Sequence, residues 1–275
     1  MSRAAQITRI VIAAIASTGL MTSLSATSAS AWVPASRCAF STLIGVRGTD
    51  EPAGSGSANG GRTYASGGLG DAVDSIANYA RSDKNLPIYV EALNYPATAY
   101  QAPFTTYINS VNVGVARLAA EVENLASSCP STNILLVGYS QGAHVISNML
   151  SGSNPPAFTT VSLSPGARAH IKAVVLLASP SFRPGQSWNA PNQARTTAGL
   201  FPADAGKLSA WTALAWNSNY TARTQQPIVR EWCFEGDAFC QSAFPNGMTI
   251  HRNYWKSSAM AEAWGFIYQK ITSNE

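Results

Sequence analysis

The sequence predicts an α/β domain on a mostly parallel sheet with helices over both faces, and three observations carry this. Five short apolar runs read as strands: Leu43–Arg47, Ile88–Leu93, Ile134–Gly138, Ala173–Ala178 and Ile228–Cys233. Segments of helical period separate them, and parallel strands joined by helical crossovers place helices on both faces. The 275 residues are 46% hydrophobic and only 12% charged, enough apolar material for one core without a second domain.

The helices follow from spacing. From about Thr105 to Ser128, Ile108, Val111, Val115, Leu118, Val122 and Leu125 recur every three or four residues. Near Gly70–Arg81, Val73, Ile76 and Ala80 share one side. The segment from Ser257 offers Met260, Trp264, Ile267 and Ile271, and Gly142 to Leu150 also reads as helical. Two stretches break the rhythm. Gly54 to Gly61 is a Gly/Ser/Asn-rich loop. Residues 181–226 hold Pro, Asn and Thr, but also Phe201, Trp211, Trp216 and Tyr220, too aromatic for a linker. They read as an insertion with short helical pieces around Leu208–Trp216.

Residues 1–31 read as a signal peptide. Arg3 and Arg9 precede a short apolar run, Ile10 to Leu20, and a small-residue stretch ends in Ala29-Ser30-Ala31. Cleavage is expected before Trp32, with 32–275 as the secreted, extracellular domain. The apolar run is shorter than the roughly 20 residues that span a bilayer, so no stable membrane anchor is expected. Losing Arg3 and Arg9 takes the formal net charge from +4 to +2. The sequence has no Lys/Arg run, and nucleic acid is not expected as a partner. Export suits an even number of cysteines. Four cysteines allow three pairings. Cys233 and Cys240 are near enough to clip one loop, which would leave Cys38 with Cys129. Cys233-x6-Cys240 lacks a second pair at metal spacing, so neither zinc nor another cofactor is expected.

The chemistry starts at Gly138-Tyr139-Ser140-Gln141-Gly142. It follows a buried strand and precedes a helix, the strand–turn–helix context of a G-x-S-x-G nucleophile elbow. A serine hydroxyl needs a histidine to act as a nucleophile at neutral pH. The sequence offers His144, His170 and His251. In this context the acid lies between serine and histidine in the chain. No acid separates Ser140 from His144 or His170, which leaves His251. The intervening acids are Asp204, Glu231, Glu235 and Asp237. Asp204 sits in the insertion and Glu231 inside the last strand. Glu235 and Asp237 follow that strand, and Asp237, inside the Cys233–Cys240 loop, is favoured over Glu235. Acyl transfer through Ser140, His251 and Asp237 is therefore expected. The oxyanion donors would be the N–H of Gln141 and, from Arg47-Gly48-Thr49-Asp50-Glu51, Thr49.

These residues resemble the cutinase family, which also contains acetylxylan esterases and actinobacterial cutinase-like proteins. The matching blocks are Arg47 to Glu51, Gly138 to Gly142, Cys233 to Cys240, and His251. Cys38 lies 11 residues before Thr49 and Cys129 lies 11 before Ser140, spacings that look like the family's. The resemblance implies an α/β-hydrolase, a three-layer sandwich with a central five-stranded parallel sheet. It implies the Ser140–Asp237–His251 triad, Thr49 and Gln141 as oxyanion donors, and Cys38–Cys129 and Cys233–Cys240 bridges. The sequence departs from the pattern in two places. Thr49 stands where fungal members usually carry Ser, and the stretch from Ser140 to Asp237 is much longer than in minimal members, which lack a lid. The aromatic insertion would cover the site, extend an acyl groove, dock on a lipid surface, or pack away from the site. The expected activity is hydrolysis of lipid-like or polyester esters by a monomer. Acetylxylan esterase or cell-envelope lipid or phospholipid esterase are alternatives on the same mechanism. An inactive hydrolase-fold binding protein is an alternative of another class, disfavoured by Ser, Asp and His in the required order.

Overall fold

Successive side chains of a strand face opposite sides of a sheet, so strands buried on both sides read as unbroken apolar runs. The computed structural model describes residues 36–99, 104–151, 157–191, 196–216 and 221–273. The expected signal segment, its cleavage point before Trp32, and Tyr220 lie outside these residues.

In chain order the elements are β1 (Ser41–Val46), α1 (Asp71–Ser82), β2 (Ile88–Ala92), α2 (Thr105–Ser128), β3 (Asn133–Tyr139), α3 (Gln141–Ser151) and α4 (Pro165–His170). Then come β4 (Ile171–Leu177), β5 (Thr212–Trp216), β6 (Arg223–Pro227), β7 (Val229–Trp232), α5 (Met248–His251) and α6 (Ala259–Thr272). The central sheet has five parallel strands in the order β2-β1-β3-β4-β7. Each expected strand appears with its ends shifted by a residue or two, and α2 begins and ends where the spacing puts it.

The alternation divides the core in two. Ile44, Ile134, Leu136, Val174 and Leu176 face α2 and α3, where they meet Val111, Val115, Leu118 and Val145. Leu43, Leu135, Val137, Val175 and Leu177 face α1 and α6, where they meet Val73, Ile76, Ala263 and Ile267. Each such side chain, fully buried, stabilises the fold by about 1.5–3 kcal/mol. Helices therefore cover both faces of the sheet, giving the three layers of an α/β-hydrolase. Trp264, expected on the core face of α6, is only half-buried at the margin of that cluster.

The insertion corrects one expectation. Leu208–Trp216 is not helical: a turn leads into β5, which pairs antiparallel with β6. In Thr212-Ala213-Leu214-Ala215 exposure alternates, with Leu214 49% exposed and Ala215 buried. That is the period of a strand, and β6 supplies hydrogen bonds that a helix would make internally. The short α4 was also not anticipated, although its signal is in the sequence: Ser164 caps it by accepting from Ala167 N–H at 3.2 Å, with Pro165 in the first turn.

Two disulfides tie the frame. Cys38–Cys129 joins the residues before β1 to the end of α2, and Cys233–Cys240 closes the loop after β7. Both pairings are those that the family resemblance implies.

Candidate active site

Residues that leave the carboxyl ends of parallel strands share one edge of the sheet, where such folds bind ligands. Here that edge collects the turn after β3, the loop after β1 and the loop after β7.

Ser140 occupies the turn between β3 and α3 with φ at +51°, the left-handed region that side chains other than glycine seldom adopt. Its neighbours explain why the turn needs glycines. A Cβ on Gly142 would lie 2.0 Å from the Val46 carbonyl oxygen, and one on Gly138 would lie 2.7 Å from the Ala143 nitrogen. With no side chains there, α3 starts against β1 and lifts the Ser140 hydroxyl out of the sheet edge.

His251, on α5, donates from Nδ1 to Asp237 Oδ2 at 2.8 Å. That bond assigns the ring proton to Nδ1 and leaves Nε2 to accept from Ser140 Oγ, also at 2.8 Å. Asp237 is fully buried, and its other oxygen accepts the N–H groups of Phe239 and Cys240 at 2.8 and 2.9 Å. The carboxylate is thus fixed inside the small disulfide loop. Glu235 and Asp204 are exposed, and Glu231 is buried inside β7 beneath the Trp188 ring nitrogen. Of the four candidate acids, only Asp237 meets His251.

The other histidines have different surroundings. His144 is buried on α3 against Tyr107, Phe158 and Phe201, with its Nδ1 2.9 Å from the Tyr107 hydroxyl. Burial lowers its pKa to about 3 and keeps it neutral. His170 donates from Nδ1 to the Thr132 carbonyl, away from the site.

Thr49 stands at the pocket wall in the loop after β1, and Gln141 opens α3. Their link is direct, Gln141 Nε2 donating to Thr49 Oγ1 at 3.3 Å. The loop itself is tied down from below. Buried Arg47 donates to the carbonyls of Glu51, Tyr95 and Pro96, and the Tyr95 hydroxyl donates to the Arg47 carbonyl.

Two further residues hold the site and were not singled out by sequence reasoning. The Tyr139 hydroxyl donates to the His251 carbonyl at 2.6 Å, and its ring stacks on the imidazole at 5.3 Å. Burial raises its pKa well above the usual tyrosine range, so it stays a donor. Glu51 accepts the N–H of Gly48 and, at 3.0 Å, that of Asp71 at the start of α1. Burial raises its pKa, opposed by those two N–H groups. Tyr139 lies inside the G-x-S-x-G motif and Glu51 inside the Arg47–Glu51 block, but neither motif indicates what these side chains bind.

A pocket of about 550 Å³ opens over Ser140 and His251. One wall is polar, with Thr49, Asp50, Glu51 and Asp71; the other is apolar, with Phe239, Phe244, Met248 and Trp255. Phe244 and Trp255 are exposed at its rim. None of the described residues of 181–226 lines it. Instead Phe201 stacks on His144, and Trp211 donates from Nε1 to the Leu150 carbonyl at the end of α3. The stretch 197–201 backs the acid loop, Leu200 N–H donating to the Phe239 carbonyl and Gln241 Nε2 to the Thr197 carbonyl. Among the described residues, no three His, Cys, Asp or Glu side chains are grouped to hold a metal ion, and no helix is long and apolar enough to cross a membrane.

The profile described as Cutinase matches residues 37–271. Acetylxylan esterase 2 of Talaromyces purpureogenus is 30% identical over 66% of this chain and 72% of its own length. Phospholipase Culp4 of Mycobacterium tuberculosis (strain ATCC 25618 / H37Rv) is 32% identical over 66% of this chain and 70% of its own length. Among solved structures, the catalytic core domain of acetyl xylan esterase from Trichoderma reesei superposes with a TM-score of 0.63. It is 25% identical, over 85% of this chain and 99% of that one.

Proposed function

Because the chain belongs to the cutinase family, we propose that it is a secreted serine carboxylic ester hydrolase cleaving lipid-like or polyester ester bonds. The observation that carries this reading is the unbroken line of hydrogen bonds from Ser140 Oγ through the His251 ring to Asp237. In the proposed cycle His251 Nε2 takes the Ser140 proton as Oγ attacks the ester carbonyl carbon. The carbonyl oxygen becomes an oxyanion, met by the backbone N–H of Gln141 and by Thr49. Losing one such donor typically costs about 10²–10³ in rate. Collapse breaks the carbon–oxygen bond to the alcohol, which leaves with the proton from His251. Water then repeats the sequence on the acyl-enzyme and releases the carboxylic acid. Asp237 keeps the imidazole in its working tautomer and stabilises the imidazolium.

The experiment is labelling with a fluorophosphonate. The folded wild type should react at Ser140, and Ser140→Ala should neither label nor keep more than about 10⁻⁴ of kcat. A folded wild type that does not label overturns the esterase reading and leaves the binding-protein alternative.

The apolar rim of Phe244 and Trp255 favours a lipid-like or polymeric substrate. A second reading, acetylxylan or cell-envelope phospholipid ester hydrolysis, draws on the relatives' activities and on the polar wall of Asp50 and Asp71. A series of p-nitrophenyl esters from acetyl to palmitoyl, followed by cutin, acetylated xylan and phospholipid, separates them. Export is supported by the two disulfides. A mature protein that starts at Trp32 would test it.

A further inference from the structure

A polar junction of buried Gln141 and Ser110 with Thr98 adjoins Thr49, and none of these three lines the pocket. We propose that Ser110, acting through the Gln141 side chain, is a positioning residue that aims the Thr49 hydroxyl at the oxyanion. The inference rests on the esterase reading above.

The argument is one of proton direction. The Gln141 side chain is fully buried, so its amide must find partners inside the protein. The Thr98 carbonyl only accepts, and Gln141 Nε2 faces it at 2.9 Å, which fixes the orientation of the amide. The same nitrogen donates to Thr49 Oγ1. Oε1 is thereby turned to Ser110, whose buried hydroxyl donates to it at 2.8 Å. Ser110 Oγ in turn accepts the Thr98 N–H at 3.0 Å. Every hydrogen in this circuit has one direction. At its end the Thr49 oxygen accepts, so its own hydrogen remains to be donated into the pocket that Thr49 lines with Ser140. With the amide reversed, a carbonyl oxygen would face Thr49 and draw that hydrogen away. Ser110, whose hydroxyl already receives the Thr98 N–H, holds the oxygen end of the amide as the Thr98 carbonyl holds its nitrogen end.

The same junction fixes the backbone of the oxyanion loop. Ala97, at φ +52°, presents its carbonyl to the Asp50 N–H at 2.9 Å. Ser110 itself sits on α2, is not part of the pocket wall, and reaches Thr49 through Gln141.

The test is a double-mutant cycle on a short p-nitrophenyl ester, with phosphonylation of Ser140 as a parallel rate. Ser110→Ala should lower kcat roughly tenfold, a fraction of one oxyanion donor, with KM nearly unchanged. Ser110→Thr, which keeps the hydroxyl, should restore most of it. Thr49→Val removes the hydroxyl and should cost about 10² in kcat. In that background Ser110→Ala should add less than about twofold, because the group it aims is gone. An undiminished loss in the Thr49→Val background overturns the proposal, as does an unchanged kcat for Ser110→Ala. If Ser110→Ala does not fold, Gln141→Glu serves. It turns the donor facing Thr49 into an acceptor and should lose at least roughly tenfold in wild type but not beside Thr49→Val. An equal loss in both backgrounds again overturns the proposal. A wild type that neither turns over nor labels sinks the esterase reading itself, and the two failures are distinguishable.

Discussion

The elbow around Ser140 and the segment 233–257 that carries Asp237 and His251 meet through the Ser140–His251 and Tyr139–His251 hydrogen bonds, yet different forces hold them. The elbow is a backbone device. Its turn lies between β3 and α3 with all neighbours buried, and two close approaches at Gly138 and Gly142 set its shape. The other segment is an assembly of separate bonds. A disulfide closes it, the Phe239 and Cys240 N–H groups hold Asp237, and the Tyr139 hydroxyl holds the His251 backbone. The Tyr254 hydroxyl accepts the Phe234 N–H beneath it. Its outer side stands in solvent at Phe244, Ile250 and Trp255. The nucleophile is thus as firm as the sheet, whereas the base and acid are as firm as a few bonds that can be removed one at a time.

The largest effect should come from the acid. Asp237→Asn is expected to lower kcat by about 10⁴, because the imidazole loses its working tautomer. Glu235→Gln, on the exposed side of the same loop, should stay within a few-fold. Steady-state rates on p-nitrophenyl butyrate compare the two, and a reversed order would reverse the assignment. Next come the disulfides, which should separate placement from stability. Replacing Cys233 and Cys240 by Ser opens a closure of 7 residues, and replacing Cys38 and Cys129 opens one of 91. Chain entropy assigns the long closure about 4–5 kcal/mol and the short one about half that. The long closure should therefore cost more in Tm. The short one should cost more in kcat, about 10–10² at 25 °C, because a displaced acid misplaces His251. Thermal melting and kcat on the same two variants give the two orders.

The smallest effect is one of pH. Burial, opposed by the Trp188 ring N–H, raises the Glu231 pKa to about 8, on the strand that feeds the acid loop. Between its ordinary value near 4.5 and about 8, unfolding releases its proton, so stability falls as pH rises through that window. Beside the elbow, His144 works in the opposite sense. Its pKa of about 3 makes stability fall as pH drops below its ordinary value of 6.5. Glu231→Gln should therefore raise Tm at pH 8 more than at pH 5, and His144→Gln should raise it at pH 4 relative to pH 7. Melting curves across pH 4–9 test both, and a flat difference for Glu231→Gln would remove the alkaline half of the contrast.

What the sequence exposed divides along the same line. The strands were legible because burial on both faces makes contiguous residues apolar, and α2 because burial on one face imposes a period of 3.6. Ser140 was legible because its turn needs glycines two residues away on either side. Asp237 and His251 were reached by chain order and a cysteine spacing, not by any local pattern. Tyr139 as an anchor of His251, Ser110, and the bond of Glu51 to α1 escaped because their partners are distant in sequence; Tyr139 and His251 are 112 residues apart. The β5–β6 hairpin escaped for another reason. An Ala- and Leu-containing segment favours a helix intrinsically, and only its partner strand decides otherwise.

The described residues of the crossover from β4 to β7 carry the aromatic insertion to the flank of α2 and α3 and to the back of the acid loop, and none of them lines the mouth. Seen from the site, these described residues are buttress and not doorway: they touch the loop that holds Asp237 from behind. Variation in this stretch would then tune how steadily the acid is held, leaving the size of the admitted ester to the rim at Phe244 and Trp255.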